Sequence, residues 1–125
     1  MLTNLLLAAT GGALGAVSRV LLSLALDGAS LALRFPAGTL AVNAIGCYLI
    51  GLALNLPILS SPQLRVLLTA GFLGGFTTFS TFTNDSLSLL LRGEALRFCL
   101  NLALNLGLGL LLCALGIITA RALAR

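Results

Sequence analysis

Hydrophobic residues run along the chain in four long stretches, which short polar or charged segments separate. The stretches cover residues 2–26, 35–56, 64–91 and 97–120. Each is long enough to form a helix that crosses the roughly 30 Å hydrocarbon core of a bilayer, which takes about 20 residues. The pattern therefore predicts an all-α integral membrane protein with four transmembrane helices in a single domain, residues 1–125. Asp27, Gly28 and Arg34 are expected to form a turn between the first two helices.

Composition and charge narrow the possible functions. Hydrophobic residues make up 59% of the chain and charged residues 8%, whereas a soluble domain has roughly 25% charged residues. A water-soluble monomer and a disordered chain are therefore excluded. The net charge of +4 comes from scattered arginines, so no nucleic-acid partner is expected. The chain has no histidine or lysine and three isolated cysteines, so it offers no common metal site and no histidine-based catalytic triad, and an enzyme is not expected.

Apart from Arg19, which lies inside the first span, the arginines are shared equally between the two ends of the predicted bundle. One end carries Arg65, Arg121 and Arg125, and the other carries Arg34, Arg92 and Arg97. The positive-inside rule depends on an asymmetry in this count, so it favours neither orientation. Two interpretations stay open. The chain inserts both ways and forms an antiparallel homodimer, or a single arginine decides a weak bias.

Small residues and one arginine mark the first span. Gly11 and Gly15 belong to a stripe of small residues, for which close helix packing is the favoured interpretation. Arg19 lies about 10 Å inside the end of the span. It could pair with Asp85 of the third span, stand at an aqueous mouth that concentrates anions, or extend to the membrane interface.

Polar side chains recur on the second and fourth spans with helical spacing. Thr39 and Asn43 share one face of the second span, and Asn101 and Asn105 share one face of the fourth. The side-chain amide of a single buried asparagine often forms a hydrogen bond between helices. Three asparagines and a threonine in the same half of a small bundle favour a polar track across the membrane.

The third span contains glycines, threonines and phenylalanines near its middle, in the sequence GFLGGFTTFSTF at residues 71–82. This is a poor sequence for a regular helix and predicts a break there. A break would free backbone carbonyl groups that can hold a cation. Phe76, Phe79 and Phe82 recur every three residues, either as a packing stripe or as ring edges whose partial positive charge suits a small, hard anion.

Three motifs together resemble the Fluc (CrcB) family of bacterial fluoride channels. They are GGALGAVSR at residues 11–19, FPAGTLAVNAIGCYLIG at 35–51 and GFLGGFTTFSTF at 71–82. The resemblance implies a four-helix protein of the bacterial inner (plasma) membrane that forms an antiparallel, dual-topology homodimer. It also implies passive fluoride conduction through two pathways and protection of the cell from fluoride toxicity.

The resemblance also implies roles for individual residues. Asn43 matches a pore-lining asparagine, and Phe79 and Phe82 match phenylalanines whose ring edges face fluoride, with Ser80 and Thr81 between them. Arg19 matches a vestibule arginine. The backbone carbonyls of Gly74 and Thr77 match those that hold a central sodium ion between the two subunits. Thr39, Asn101 and Asn105 complete the expected fluoride pathway, although the family commonly begins the polar track of its fourth helix with tyrosine, and Asp85 stands where glutamate is frequent.

Two other classes of membrane protein share some of these features. A small dual-topology multidrug transporter also has four helices, but it needs an acidic residue deep in the first one, and residues 1–26 contain none. A structural membrane subunit without a transport role would use the same small-residue stripes. Such a subunit has no need for the FTTFSTF sequence or for three intramembrane asparagines.

Overall fold

The computed structural model describes residues 1–125, except for the side chain of Ile58, and no strand occurs in this described part of the chain. Its helices are α1 (Leu2–Ala25), α2 (Asp27–Leu33), α3 (Ala37–Ala53), α4 (Pro62–Arg65), a π-helix (Val66–Leu73), α5 (Gly74–Phe76), α6 (Phe79–Leu91) and α7 (Ala95–Leu123). A short 3₁₀-helix at Pro57–Leu59 connects α3 to α4. The predicted all-α class is confirmed.

Three stretches are long and apolar enough to cross a membrane, namely α1, the combined segment Pro62–Leu91 and α7. A fourth crossing is possible if α2 and α3 count as one span, but these two helices are bent by 119° relative to each other. α3 has 17 residues and is therefore about 25 Å long, close to the minimum for a membrane span. The combined segment Pro62–Leu91 is called the third membrane segment below.

The turn expected between the first two spans is wrong, because residues 27–33 form the helix α2. The carboxylate of Asp27 lies in the first turn of this helix, where negative charge is favourable. α2 ends at Arg34, whose φ of 51° places it in the left-handed region. Pro36 follows at the start of α3 and cannot continue a helix from the preceding turn. The chain therefore changes direction at residues 34–36.

The helices pack in two groups. α1 lies against the π-helix and α5, whereas α3 lies along α7 and α6 packs on α7. Glycines make these contacts close: a Cβ at Gly15 would overlap the carbonyl oxygen of Phe72, and one at Gly51 would overlap that of Cys113. A Cβ at Gly11 would likewise collide with the π-helix backbone. The packing interpretation of the small-residue stripe is therefore confirmed.

The interior of the protein is small and partly polar. Its buried apolar side chains are Val42, Leu73, Phe76, Phe82, Leu89 and Ala120. Asn101, Ser86, Thr39 and Thr78 are buried among them, while most leucines of α1 and α7 point outwards. This distribution is typical of a membrane protein, in which lipid replaces water around the apolar surface and polar groups pair inside.

Candidate functional site

The third membrane segment is broken at Thr77 and Thr78. Both residues are extended, with φ −78° and ψ 158° at Thr77 and φ −149° and ψ 106° at Thr78. Thr78 begins α6 as its N-cap, because its Oγ1 accepts a hydrogen bond from the N–H of Thr81 at 3.3 Å. Gly74 is helical, with φ −63° and ψ −35°. The predicted break is therefore present, but threonines form it and the glycines do not.

The break frees two backbone carbonyl groups. In a continuous α-helix, the N–H groups of Thr78 and Thr81 would donate to the carbonyls of Gly74 and Thr77. Here the N–H of Thr78 donates to Asn43 Oδ1 at 2.9 Å, and the N–H of Thr81 donates to the Thr78 side chain. No backbone N–H in the described part of the chain donates to the carbonyl of Gly74 or Thr77. Free carbonyl oxygens of this kind suit a hard cation.

Asn43 of α3 stabilises the break through side-chain hydrogen bonds to the backbone of Thr78. Its Oδ1 accepts from the N–H of Thr78, and its Nδ2 donates to the carbonyl oxygen of the same residue at 3.2 Å. Nδ2 also donates to Oδ1 of Asn105 on α7 at 3.1 Å. One amide therefore satisfies both backbone groups of Thr78, which a broken helix would otherwise leave unpaired in the membrane.

The three intramembrane asparagines, predicted to form a polar track, are hydrogen-bonded to one another. Asn105 Nδ2 donates to Oδ1 of Asn101 at 3.0 Å. Asn101 Nδ2 donates to Oγ of Ser86 at 2.9 Å, and that hydroxyl donates to the carbonyl oxygen of Phe82 at 2.7 Å. The polar groups of α3, α6 and α7 are thereby joined into one network.

A groove of about 340 Å³ runs beside the break and is called the central groove here. The candidate residues that line it are Asn43, Gly74, Thr77, Phe79, Phe82 and Asn105. Its walls thus combine two asparagines, the two residues whose carbonyls are freed and two aromatic rings. Such walls offer donors and ring edges to an anion and oxygen atoms to a cation.

The phenylalanines do not form one stripe. Phe79 and Phe82 face the central groove with their ring centroids 5.7 Å apart and their planes inclined by 57°. Phe79 is 76% exposed on this chain, whereas Phe82 is 6% exposed. Phe76 is not part of the described groove wall; it is buried and stacks on Phe72. The three-residue repeat is therefore split by the break into a packing residue and two groove residues.

Ser80 and Thr81 lie on the exposed face of the first turn of α6. Neither residue is part of the wall of the central groove in the described chain. Thr81 Oγ1 accepts a hydrogen bond from Thr78 Oγ1 at 2.8 Å. In this structure the Thr81 side chain therefore supports the cap of α6.

A second cavity, of about 610 Å³, opens between α2, the end of α6 and the start of α7 and is called the vestibule here. Its charged lining residues are Asp27, Arg34, Asp85, Arg92 and Glu94. All three acidic side chains of the protein therefore line one cavity. Asp85 Oδ2 accepts a hydrogen bond from Thr39 Oγ1 at 2.7 Å, which connects the vestibule to the polar face of α3.

The suggested ion pair between Arg19 and Asp85 is wrong. In the described part of the chain, the ion pairs join Glu94 to Arg92 at 3.9 Å and to Arg97 at 2.7 Å. The reason is the packing of α1, which lies against the π-helix and α5, whereas Asp85 is on α6 beyond the break. Arg19 is half-buried and does not line the vestibule as described.

Two residues of the site are absent from the sequence prediction. Thr78 caps α6 and offers its backbone to Asn43, and Ser86 ends the asparagine network. The preference of threonine for N-cap positions could have indicated Thr78. Ser86 carries no such signal, because its role depends on which residue of α7 packs opposite it.

Comparisons with known proteins cover nearly the whole chain. Residues 6–117 match the family described as CrcB-like protein, Camphor Resistance (CrcB). The chain is 46% identical over 120 residues to a protein named fluoride-specific ion channel FluC from Shewanella sp. (strain W3-18-1), which covers 92% of this chain and 94% of that protein. The FluC proteins of Shewanella putrefaciens (strain CN-32 / ATCC BAA-453) and Shewanella baltica (strain OS185) show the same identity and coverage. The chain belongs to the CrcB-like family.

Proposed function

We propose that this chain is a fluoride-specific ion channel of the bacterial inner membrane. It lets fluoride leave the cell passively, and so protects the cell from fluoride toxicity. The observation that carries the proposal is the 46% identity over 92% of the chain to proteins named as fluoride channels. Conduction makes and breaks no covalent bond, so the protein is not an enzyme under this proposal.

The central groove supplies ligands for a dehydrated anion. The edges of the Phe79 and Phe82 rings carry partial positive charge, and Asn43 adds amide N–H groups beside them. One of these N–H groups donates to the carbonyl oxygen of Thr78 at 3.2 Å, which is the bond that a fluoride ion would replace. A small ion that accepts strong hydrogen bonds gains most from such a site.

Other polar residues extend the proposed route. Thr39 and Asp85 connect the groove face of α3 to the vestibule. Ser80 and Thr81 offer hydroxyl groups on the exposed side of α6. Arg19 acts at an aqueous mouth by raising the local concentration of anions.

The functional unit is an antiparallel, dual-topology homodimer. Three features support it. The central groove is open on the surface of one chain, Phe79 is 76% exposed beside it, and the arginines other than Arg19 are equally divided between the two ends. An inverted second copy would cover the groove and supply polar groups in the half of the membrane where one chain has few. Both copies would lie in the lipid bilayer.

A sodium ion is proposed as a structural cofactor between the two copies. The carbonyl oxygens of Gly74 and Thr77 fit this role, because the break leaves them without backbone donors and both residues line the groove. Two carbonyls from each copy would form a shell of hard oxygen ligands. The ion offsets the repulsion among carbonyl dipoles that meet in a medium of low dielectric constant.

The other classes of membrane protein fit less well. A multidrug transporter that exchanges protons for cationic drugs needs a deep carboxylate, and α1 contains none. A structural subunit would keep the close glycine contacts. However, it gains nothing from a helix break that exposes carbonyl groups to a groove.

The test is fluoride release from liposomes that contain only the purified protein. A potassium ionophore supplies the counter-charge, and a fluoride electrode records the release. We expect rapid fluoride release and no matching release from chloride-loaded liposomes. Fluoride release no faster than from protein-free liposomes would contradict the proposal.

A further inference from the structure

Five hydrogen bonds run in series from one backbone group of α6 to another. They lead from the N–H of Thr78 through Asn43, Asn105, Asn101 and Ser86 to the carbonyl oxygen of Phe82. The donor–acceptor distances lie between 2.7 and 3.1 Å. This series, called the amide chain here, crosses from α6 to α3, then to α7, and returns to α6.

The direction of the amide chain is fixed by its two ends. A backbone N–H can only donate and a carbonyl oxygen can only accept. Each asparagine therefore turns its oxygen towards the Thr78 end and its NH₂ group towards the Phe82 end. Asn101 is 0% exposed and Ser86 is 4% exposed, so water cannot take the place of either partner.

Only part of the amide chain touches the central groove. Asn43 and Asn105 line the groove, whereas Asn101 and Ser86 do not. Both side-chain hydrogens of Asn105 are engaged by Asn101, through Oδ1 at 3.0 Å and the backbone oxygen at 3.1 Å. The two α7 asparagines therefore point their donors away from the groove, and Asn43 alone of the three has an N–H group beside it.

We propose that Asn101 and Ser86 are positioning residues that act through Asn105 on Asn43. This inference rests on the proposed function, in which the central groove carries fluoride. The Ser86 hydroxyl holds the NH₂ group of Asn101, which holds that of Asn105, so that the oxygen of Asn105 faces Asn43. Without the hydroxyl, the Asn101 amide is free to turn over. Its side-chain oxygen then no longer holds the NH₂ group of Asn105, which keeps only the backbone oxygen of Asn101. The oxygen of Asn105 would then be held less firmly against Asn43, which keeps its two bonds to the Thr78 backbone but has a weaker third bond.

The first measurement is fluoride release from liposomes for three variants. We expect Ser86→Ala to lower the rate about fivefold, which corresponds to about 1 kcal/mol, the net value of one hydrogen bond. Ser86→Thr keeps the hydroxyl and should stay within about twofold of the wild-type rate. Thr83→Val is the matched control, because it removes an equivalent bond from Thr83 Oγ1 to the carbonyl of Phe79 in the same helix, outside the amide chain. Its rate should be unchanged.

The second measurement separates positioning from a general loss of structure. Ser86→Ala is combined with Asn43→Ser, and the double variant is compared with Asn43→Ser alone. Residues that act through one another give non-additive effects. If Ser86 acts through Asn43, the double variant should release fluoride at the rate of Asn43→Ser. A further fivefold loss in the double variant would overturn the proposal.

The remaining outcomes separate a failure of this inference from a failure of the proposed function. If Ser86→Ala does not yield folded protein, Ser86→Cys, whose thiol is a weaker hydrogen-bonding group, should give a smaller loss that again vanishes in the Asn43→Ser background. An unchanged rate in a folded Ser86→Ala variant, with normal wild-type release, would overturn this inference and leave the proposed function intact. Background release from the wild-type protein would overturn the proposed function, and this inference with it.

Discussion

Replacing Asn43 with leucine should both destabilise the protein and abolish fluoride release. The amide of Asn43 makes three hydrogen bonds, at 2.9, 3.1 and 3.2 Å, and two of them satisfy the backbone of Thr78 at the helix break. Leucine has a similar volume but can neither donate nor accept. The substitution therefore removes the interaction that holds the break open without leaving a large cavity.

The magnitude follows from the number of bonds and from the groups left unpaired. Three hydrogen bonds at a net value of about 1 kcal/mol each give about 3 kcal/mol. The orphaned oxygen of Asn105 adds a desolvation cost of about 1–3 kcal/mol. The N–H of Thr78 can instead donate to the carbonyl of Gly74, as it would in a continuous helix, which recovers about 1 kcal/mol. We therefore expect a loss of about 3–5 kcal/mol and a straightened segment whose Gly74 carbonyl is no longer free.

The assay is chemical denaturation of the purified protein in detergent, with liposome release measured on the same preparation. Asn55→Leu is the matched control, since Asn55 follows the end of α3 and makes a single bond, to the carbonyl of Gly51 at 2.8 Å. It should lose about 1 kcal/mol and keep its fluoride release. An Asn43→Leu variant with the unfolding free energy of Asn55→Leu, or with wild-type release, would refute the reasoning.

Three further predictions concern the groove, the sodium ion and the packing of α1. Phe79→Ile and Phe82→Ile should each lower fluoride release at least tenfold. Only Phe82→Ile should also lower protomer stability, because only Phe82 is buried within one chain. Release at the wild-type rate from both variants would show that the two rings serve only in packing. Thr77→Val should retain sodium-dependent release, since the backbone oxygen and the methyl group over α3 persist. Gly74→Val should impair dimerisation or sodium dependence without unfolding the protomer, because its Cβ meets only an ordinary contact at 3.6 Å within the chain. Full release without sodium or lithium on either side of the membrane would contradict the sodium proposal. Gly15→Val should prevent folding, because its side chain would overlap the Phe72 backbone, and a normally folded variant in circular dichroism would disprove that contact.

The membrane segments could be predicted from the sequence because each is defined by the hydropathy of its own residues. Long apolar runs define α1, the third membrane segment and α7, whatever their neighbours are. The helix α2 was missed because seven residues with an aspartate and a glycine resemble a turn. Its helical form depends on Asp27 at the first turn and on the stop at Arg34, which are weak local signals.

The exact position of the break in the third membrane segment could not be predicted from the sequence. Glycine and threonine both have a low helix propensity, so the whole sequence at residues 71–82 indicated a break. Its glycines allow close approach to α1: a Cβ at Gly75 would overlap the backbone of Gly12. The break falls at Thr77 and Thr78 because Asn43 on another helix supplies the missing hydrogen bonds. A sequence pattern contains no direct information on such a partner.

In the candidate site, the sequence likewise predicted contacts within one helix but not contacts between helices. The spacing of Asn101 and Asn105 correctly placed both on one face of a helix, and they are in contact. Spacing could not show that their donors point into the amide chain, since this depends on Ser86 of α6. The contact between Arg19 and Asp85 failed for the same reason, because equal depth in the membrane does not decide which helices are neighbours.

Passive conduction of fluoride is tested most directly by the reversal potential of the current. The wild-type protein is placed in a planar bilayer with a tenfold fluoride gradient, first at symmetric pH and then with an opposing pH gradient. A passive fluoride channel predicts a current that reverses at the fluoride equilibrium potential under both conditions. A reversal potential that moves with the proton gradient would contradict the account and indicate coupled transport.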